Sequence, residues 1–129
     1  MHWIFHIARE SDWIAAARRG VYSGDTLGSE GFIHCSDWQQ VVRVANRFFR
    51  GRADICLLRI DPEKLKAPLR YENLEGGDEL FPHIYGPLNV DAVAAVSAFR
   101  PSEEGTFDRH RESKGVLPLP GSSAENRGE

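Results

Sequence analysis

Three histidines stand inside apolar, strand-like runs of this chain. They are His6 in Trp3-Ile4-Phe5-His6-Ile7, His34 in Gly31-Phe32-Ile33-His34-Cys35-Ser36, and His83 in Phe81-Pro82-His83-Ile84-Tyr85-Gly86. Imidazole titrates near neutrality, donates and accepts hydrogen bonds, and binds metals. A strand turns successive side chains to opposite faces. On that period His34 shares a face with Phe32 and Ser36, His83 shares one with Tyr85, and His6 opposes Phe5 and Ile7. One strand-borne histidine more often satisfies a buried partner; three in a small domain point to a site. One chemistry for such a set is hydrogen bonding to a bound ligand. Another is a metal-dependent hydrolase with His6, His34 and His83 as ligands and water in the fourth position. The three lack a tight His-x-x-x-His spacing, so no metal is expected.

Other polar groups lie close to these histidines in sequence. Ser36 precedes a helical pattern, and a helix start presents free N–H groups suited to an anion. The same serine also reads as a simple cap. Glu72, Glu75, Asp78 and Glu79 surround Gly76-Gly77 just before His83. A carboxylate there would hold a ribose hydroxyl or stabilise a developing cation, although exposed acidic loops are the commoner case. Tyr22 would stack on a base, or merely pack.

These groups need elements to position them. Trp3 to Ile7 reads as a strand. Ser11 caps a helix over Asp12 to Arg19, with Gly20 as its stop. Phe32 to Cys35 reads as a second strand. Ser36 then caps a helix from Asp37 to about Phe49, whose Trp38, Val41, Val42, Ala45, Phe48 and Phe49 mark one buried face. Ile55 to Ile60 is nearly all apolar and reads as a central strand. Asp61-Pro62 opens a short helical turn, and Leu69 to Asn73 alternates like an edge strand. Pro82 argues that Phe81 to Tyr85 lies at an edge or bulge. A helical turn at Val90 to Ala92 and a strand to Phe99 complete the pattern. Strands and helices in this order predict an α+β fold with two main helices on a bent or split, mostly antiparallel sheet. The folded domain is expected over residues 1–100. Residues 101–129, rich in Pro, Gly, Ser and charge, read as a flexible polar tail with His110 exposed.

Composition narrows the classes. The 129 residues carry a formal charge of −3 and are 41% hydrophobic, which suits one globular domain. That balance gives no general attraction to nucleic-acid phosphate. No apolar run approaches the roughly 20 residues of a membrane span, and the first residues do not read as a secretory signal. Cys35 and Cys56 lie in apolar runs, as buried thiols of a cytoplasmic protein would. Walker, Gly-x-Gly-x-x-Gly, Gly-x-Ser-x-Gly and paired-Cys signatures are absent from the sequence, which excludes the enzyme classes they mark.

Ser29-Glu30-Gly31-Phe32-Ile33-His34-Cys35-Ser36 and Phe81-Pro82-His83-Ile84-Tyr85-Gly86-Pro87-Leu88-Asn89 resemble the DUF952 family of small bacterial proteins. The resemblance runs from about Trp3 to Phe99 and includes Phe5-His6-Ile7-Ala8, Val44-Ala45-Asn46-Arg47-Phe48 and Leu57-Leu58-Arg59-Ile60-Asp61. More distantly, the layout is similar to the ADP-ribosyltransferase superfamily and, within it, to RNA 2′-phosphotransferases. That likeness implies a split sheet with NAD in its cleft. By matching position, His6 would contact a ribose or the adenosine, and His34 and Ser36 would line the cleft. The transferase glutamate has no clean match, Glu79 and His83 being nearest. Together with the reading of Tyr22, the likeness implies a nucleotide ligand held by His6, Tyr22, His34, Ser36 and Tyr85, with His6, His34, His83 and Glu79 at the reacting centre. A non-catalytic module using the same cleft is the remaining alternative.

Overall fold

The computed structural model describes residues 2–74, 76–108 and, as main chain, 112–116. The chain runs β1 (Ile4–Arg9), α1 (Glu10–Arg19), β2 (Val21–Tyr22), α2 (Thr26–Glu30), β3 (Ile33–His34), α3 (Trp38–Phe48) and β4 (Ile55–Ile60). It continues with β5 (Leu69–Glu72), β6 (Phe81–Ile84), β7 (Leu88–Asn89), β8 (Val93–Phe99) and β9 (Glu112–Val116); 3-10 turns occupy Pro62–Lys64 and Val90–Ala92. This is an α+β fold of antiparallel sheets. The main sheet has the order β1-β4-β8-β9, a second β3-β6-β5, and β2 pairs with β7 alone.

The apolar run Ile55–Ile60 takes the interior of the main sheet, as a strand buried on both faces must. Its alternation divides the core. Cys56, Leu58 and Ile60 join Ile4 and Ala8 on one face and pack against Trp13 and Ala16 of α1. Ile55 and Leu57 join Phe5, Val41, Ala45 and Phe99 on the other, under α3. Both cysteines are buried and free.

Several expectations change at this level. The N-cap of α1 is Arg9, because the helix follows β1 directly, so Ser11 lies inside it. The N-cap of α3 is Asp37, whose N–H donates to Gln40 Oε1 at 2.8 Å. Ser36 is therefore not the cap; its backbone is committed to Phe5. Phe48 lies off the buried face of α3 at 56% exposure, with Arg47 over its ring. The strand holding Pro82 is the centre of its sheet rather than an edge. The register places Cys35 opposite Pro82, where Cys35 N–H donates to Pro82 O at 3.0 Å. Proline cannot return the second bond of that pair, so regular β3 pairing stops at His34 and the centre position is tolerated.

The region after Pro101 also departs from a free tail. Phe107 is 4% exposed and stacks on Phe99 at 4.8 Å. Its N–H donates to Asn46 Oδ1 and its carbonyl accepts from Asn46 Nδ2, which ties it to α3. Glu112–Val116 then pairs with β8. His110 and residues 117–129 lie outside the described residues, as does Glu75. Among the described residues no helix is long and apolar enough to cross a membrane. Removing the Phe107 ring leaves a cavity against β8 and α3, so Phe107→Ala is expected to lower stability by about 3 kcal/mol or more. Urea denaturation of the full chain measures this; a change under about 0.5 kcal/mol would mean the segment is not part of the core.

Candidate active site

Strand pairing brings two of the three histidines face to face. His34 on β3 is the direct register partner of His83 on β6, and Arg70 on β5 is the partner of His83 on the other side. Directly opposed residues share a sheet face, so Arg70, His83 and His34 form a row across three strands. The His34 and His83 rings lie 5.4 Å apart at 89°. Phe32, two residues before His34, is the hub of this face. Its ring lies 4.9 Å from His34, 4.7 Å from His83 and 5.2 Å from Tyr85.

Each of these imidazoles has its own carboxylate. His34 Nε2 lies 3.0 Å from Glu30 Oε1, and His83 Nδ1 lies 3.0 Å from Glu72 Oε1. An ionised carboxylate only accepts. The proton therefore sits on Nδ1 of His83 and on Nε2 of His34, which leaves Nε2 of His83 and Nδ1 of His34 as the nitrogens facing away from the carboxylates. Tyr85 O–H also donates to Glu72 Oε1, at 2.6 Å. That bond first, and His83 second, hold Glu72 below the usual carboxylate range, while Glu72 raises the Tyr85 phenol. Arg70 lies over the Tyr85 ring at 4.9 Å. His83 is 3% exposed, whereas the His34 side chain is 43% exposed. His34 thus meets solvent, and His83 lies in the layer beneath.

The turn that delivers Glu30 explains its pairing. The helix α2 ends at Gly31, which adopts φ 89° and donates its N–H to Leu27 O at 2.9 Å. This left-handed position favours glycine. Thr26 Oγ1 donates to Phe32 O at 2.7 Å and fastens the helix to the strand. Chain reversal then sets Glu30 beside His34.

His6 lies apart from this face. Its Nδ1 is 2.6 Å from His34 O and its Nε2 is 2.8 Å from Tyr22 Oη. A carbonyl only accepts, so Nδ1 carries the proton and Nε2 accepts the Tyr22 hydroxyl. Burial is the main cause that lowers the His6 imidazole to about 4; the bond to His34 O opposes it. Tyr22 is 3% exposed, and its phenol is raised chiefly by burial. Glu79 is also elsewhere: it accepts from Gln40 Nε2 at 3.0 Å and from Arg43 at 2.6 Å, on α3. Ser36 is buried beside β1.

The structure thus brings together His34, His83, Tyr85 and the acidic Glu72 of the sequence reading. His6 adjoins this set through the His34 carbonyl and carries Tyr22 with it, whereas Ser36 is bonded to β1 and Glu79 to α3. Glu30 and Arg70 were missed. Arg70 and Glu72 are two residues apart in a strand and so share a face, a signal that becomes useful only when the β5–β6 register is known.

Comparison with known proteins places the chain. The family model described as a protein of unknown function, DUF952, matches residues 7–96. The chain belongs to the DUF952 family. Its fold is similar to the crystal structure of protein CC0527 from Caulobacter crescentus, with 32% identity and a TM-score of 0.74 over 82% of this chain and 93% of that one. The solution structure of the same protein gives 33% identity and a TM-score of 0.73 over 84% and 93%. No match is found among curated proteins.

The His6 geometry fixes a pH dependence for this DUF952 protein. The unfolded ring takes up a proton near 6.5, whereas the folded ring resists until about 4. The stability contributed by neutral His6 is therefore present above about 6.5 and lost as pH falls toward 4, by at most about 3 kcal/mol. His6→Gln is expected to be less stable at pH 7 but to lose less between pH 7 and 4.5. Denaturant midpoints at the two pH values measure this; equal losses in both proteins would contradict the assignment.

Proposed function

We propose that the Arg70–His83–His34 row binds a phosphate ester of the nucleotide class, and that His34 transfers a proton on it. The observation that carries this reading is the pair of Glu–His dyads facing each other at 5.4 Å. A carboxylate that fixes one imidazole nitrogen leaves the other aimed and ready to exchange a proton. Arg70 and His34 are two strand spacings apart, about 9.5 Å, with His83 between them. A phosphate lying over His83 would meet a guanidinium on one side and an imidazole on the other. Arginine is the side chain best suited to such an oxyanion.

In this reading His34 is the residue that touches ligand. Its Nδ1, held by the Glu30 contact at Nε2, gives a proton to a leaving oxygen or takes one from an attacking hydroxyl. His83, Glu72 and Tyr85 are positioning residues that hold the floor of the site and its charge. A mixed-sign face with two carboxylates also discriminates against bare polyanions, in keeping with the net charge of −3.

The finer likeness to the ADP-ribosyltransferases supports a nucleotide as the ligand class but not the NAD contacts it implies. His6 uses both ring nitrogens internally, Tyr22 is buried, and Glu79 is bound to α3. These residues do not fit the NAD set that the likeness draws, so no step is routed through that cofactor. The three-histidine metal reading likewise loses His6 as a ligand, and no group of three or more His, Cys, Asp or Glu is arranged for a metal ion among the described residues.

Thermal shift with AMP, ADP-ribose and NAD, one at a time, tests the ligand class. A saturable rise with AMP or ADP-ribose is expected, because a ligand of the native state stabilises it by mass action. Arg70→Gln is expected to weaken binding about tenfold, and His34→Ala to remove turnover of a bound phosphate ester while leaving the fold intact. Binding that survives both substitutions unchanged, or the absence of any nucleotide shift, would contradict this reading. Binding without turnover in the unaltered protein would leave a ligand-binding module and remove the proton-transfer step.

A further inference from the structure

A second recess lies on the α3 face of the main sheet, lined by Trp3, Phe5, Trp38 and Arg59. None of the residues of the His34–His83 face takes part in it. Its walls follow from the strand register. Phe5 on β1 and Arg59 on β4 are direct partners, and Ala95 faces Arg59 from β8. The floor beside Arg59 is therefore a small side chain. Trp38 is the first residue of α3 and packs on Phe5 at 5.1 Å. The helix cover starts there.

Arg59 is out of keeping with its strand. Ile55, Cys56, Leu57, Leu58 and Ile60 are all at or below 1% exposure, and only Arg59 is charged. Its guanidinium lies over the Trp3 ring at 4.7 Å. It has no carboxylate partner and makes no side-chain hydrogen bond among the described residues. By contrast, Arg9, Arg43, Arg52 and Arg100 each hold a carboxylate. Contact through the flat face leaves the five in-plane N–H donors of a guanidinium free.

We infer that this recess binds a single aromatic ring bearing one anionic group, the ring against Trp3, Phe5 and Trp38 and the anion on Arg59. Aromatic walls recognise a planar ring by offset or edge contacts, and an unpaired guanidinium supplies the charge complement. The volume sets the size. The cavity is about 170 Å³, below the roughly 300–1,000 Å³ of pockets for drug-sized ligands. That is room for one ring against the aromatic walls, with the rest of any larger ligand left in solvent. Carboxylate and phosphate share the required chemistry, and the probes below tell them apart.

The test is a titration of the full chain with benzoate, phenyl phosphate and neutral benzamide, followed at the indole N–H signals. Trp3 and Trp38 line the recess, whereas Trp13 of α1 is fully buried and serves as an internal control. Saturable movement of the Trp3 and Trp38 signals with benzoate or phenyl phosphate is expected, with benzamide about tenfold weaker or more. Arg59→Gln is expected to weaken the anionic probe by the same factor. Because Arg59 is exposed, the variant keeps its fold, which unchanged Trp13 and backbone signals verify. Equal binding of benzamide and benzoate, unchanged affinity in Arg59→Gln, or no saturable movement with either anion up to about 10 mM would overturn the proposal. In that case Arg59 only shields the Trp3 ring. Nucleotide binding at the His34 face can fail without affecting this result.

Discussion

One strand edge joins two sheets, and the candidate site depends on that seam. Along one edge β1 pairs with β4 over its whole length. Along the other, Phe5 N–H donates to Ser36 O and Ser36 N–H donates to Phe5 O, each at 2.8 Å. That is a single isolated bridge. His6 extends it from the next residue, its Nδ1–H reaching His34 O at 2.6 Å. Among the described residues, the strand that carries His34 is thus hydrogen-bonded to the main sheet by one backbone pair and one imidazole, and packs on it through Ile33 and Cys35. Only the neutral ring can both donate to a carbonyl and accept from Tyr22. Burial keeps it neutral.

The seam separates two physical regimes. The main sheet packs apolar side chains on both faces, against α1 on one and α3 on the other. The β3-β6-β5 sheet turns Ile33, Cys35 and Ile84 toward the core and His34, His83, Tyr85, Arg70 and Glu72 away from it. Its strands are two to four residues long, too short to be stable without the main sheet. What it gains is a polar face whose members are already partnered. Glu30 and Glu72 fix the two imidazoles, and Phe32 packs against both. Such preorganisation is what proton transfer requires, since no rearrangement is needed when charge develops. The Arg59 recess lies on the main sheet, lined by residues outside this network.

Much of the fold was legible because burial writes a period into sequence. The apolar run of β4 marked a central strand, and Trp38, Val41 and Ala45 marked the inner face of α3. Pro82 misled, because a proline is excluded from a sheet centre only where its missing N–H would be needed. Here the neighbouring strand ends at that residue. Phe107 stood isolated in a polar stretch, and its packing on Phe99 depends on a return of the chain that no local pattern encodes. In the site, the alternation correctly set His34 with Phe32 and His83 with Tyr85. It could not show that His34 and His83 oppose each other, because register across distant strands is set by the whole fold. His6 had the same local appearance as the other two. Its different role comes from Tyr22 and a backbone carbonyl, partners that only tertiary structure supplies.

The central claim is a division of labour, with His6 as a neutral structural link and His34 as the ligand-facing proton carrier. Long-range nitrogen–proton NMR of the histidine rings, with and without AMP at pH 7, tests it most directly. The account predicts His6 as the neutral Nδ1–H tautomer, unmoved by ligand, while the His34 ring signals shift saturably. A His6 ring that carries two protons at pH 6, or that responds to AMP while His34 does not, would contradict it.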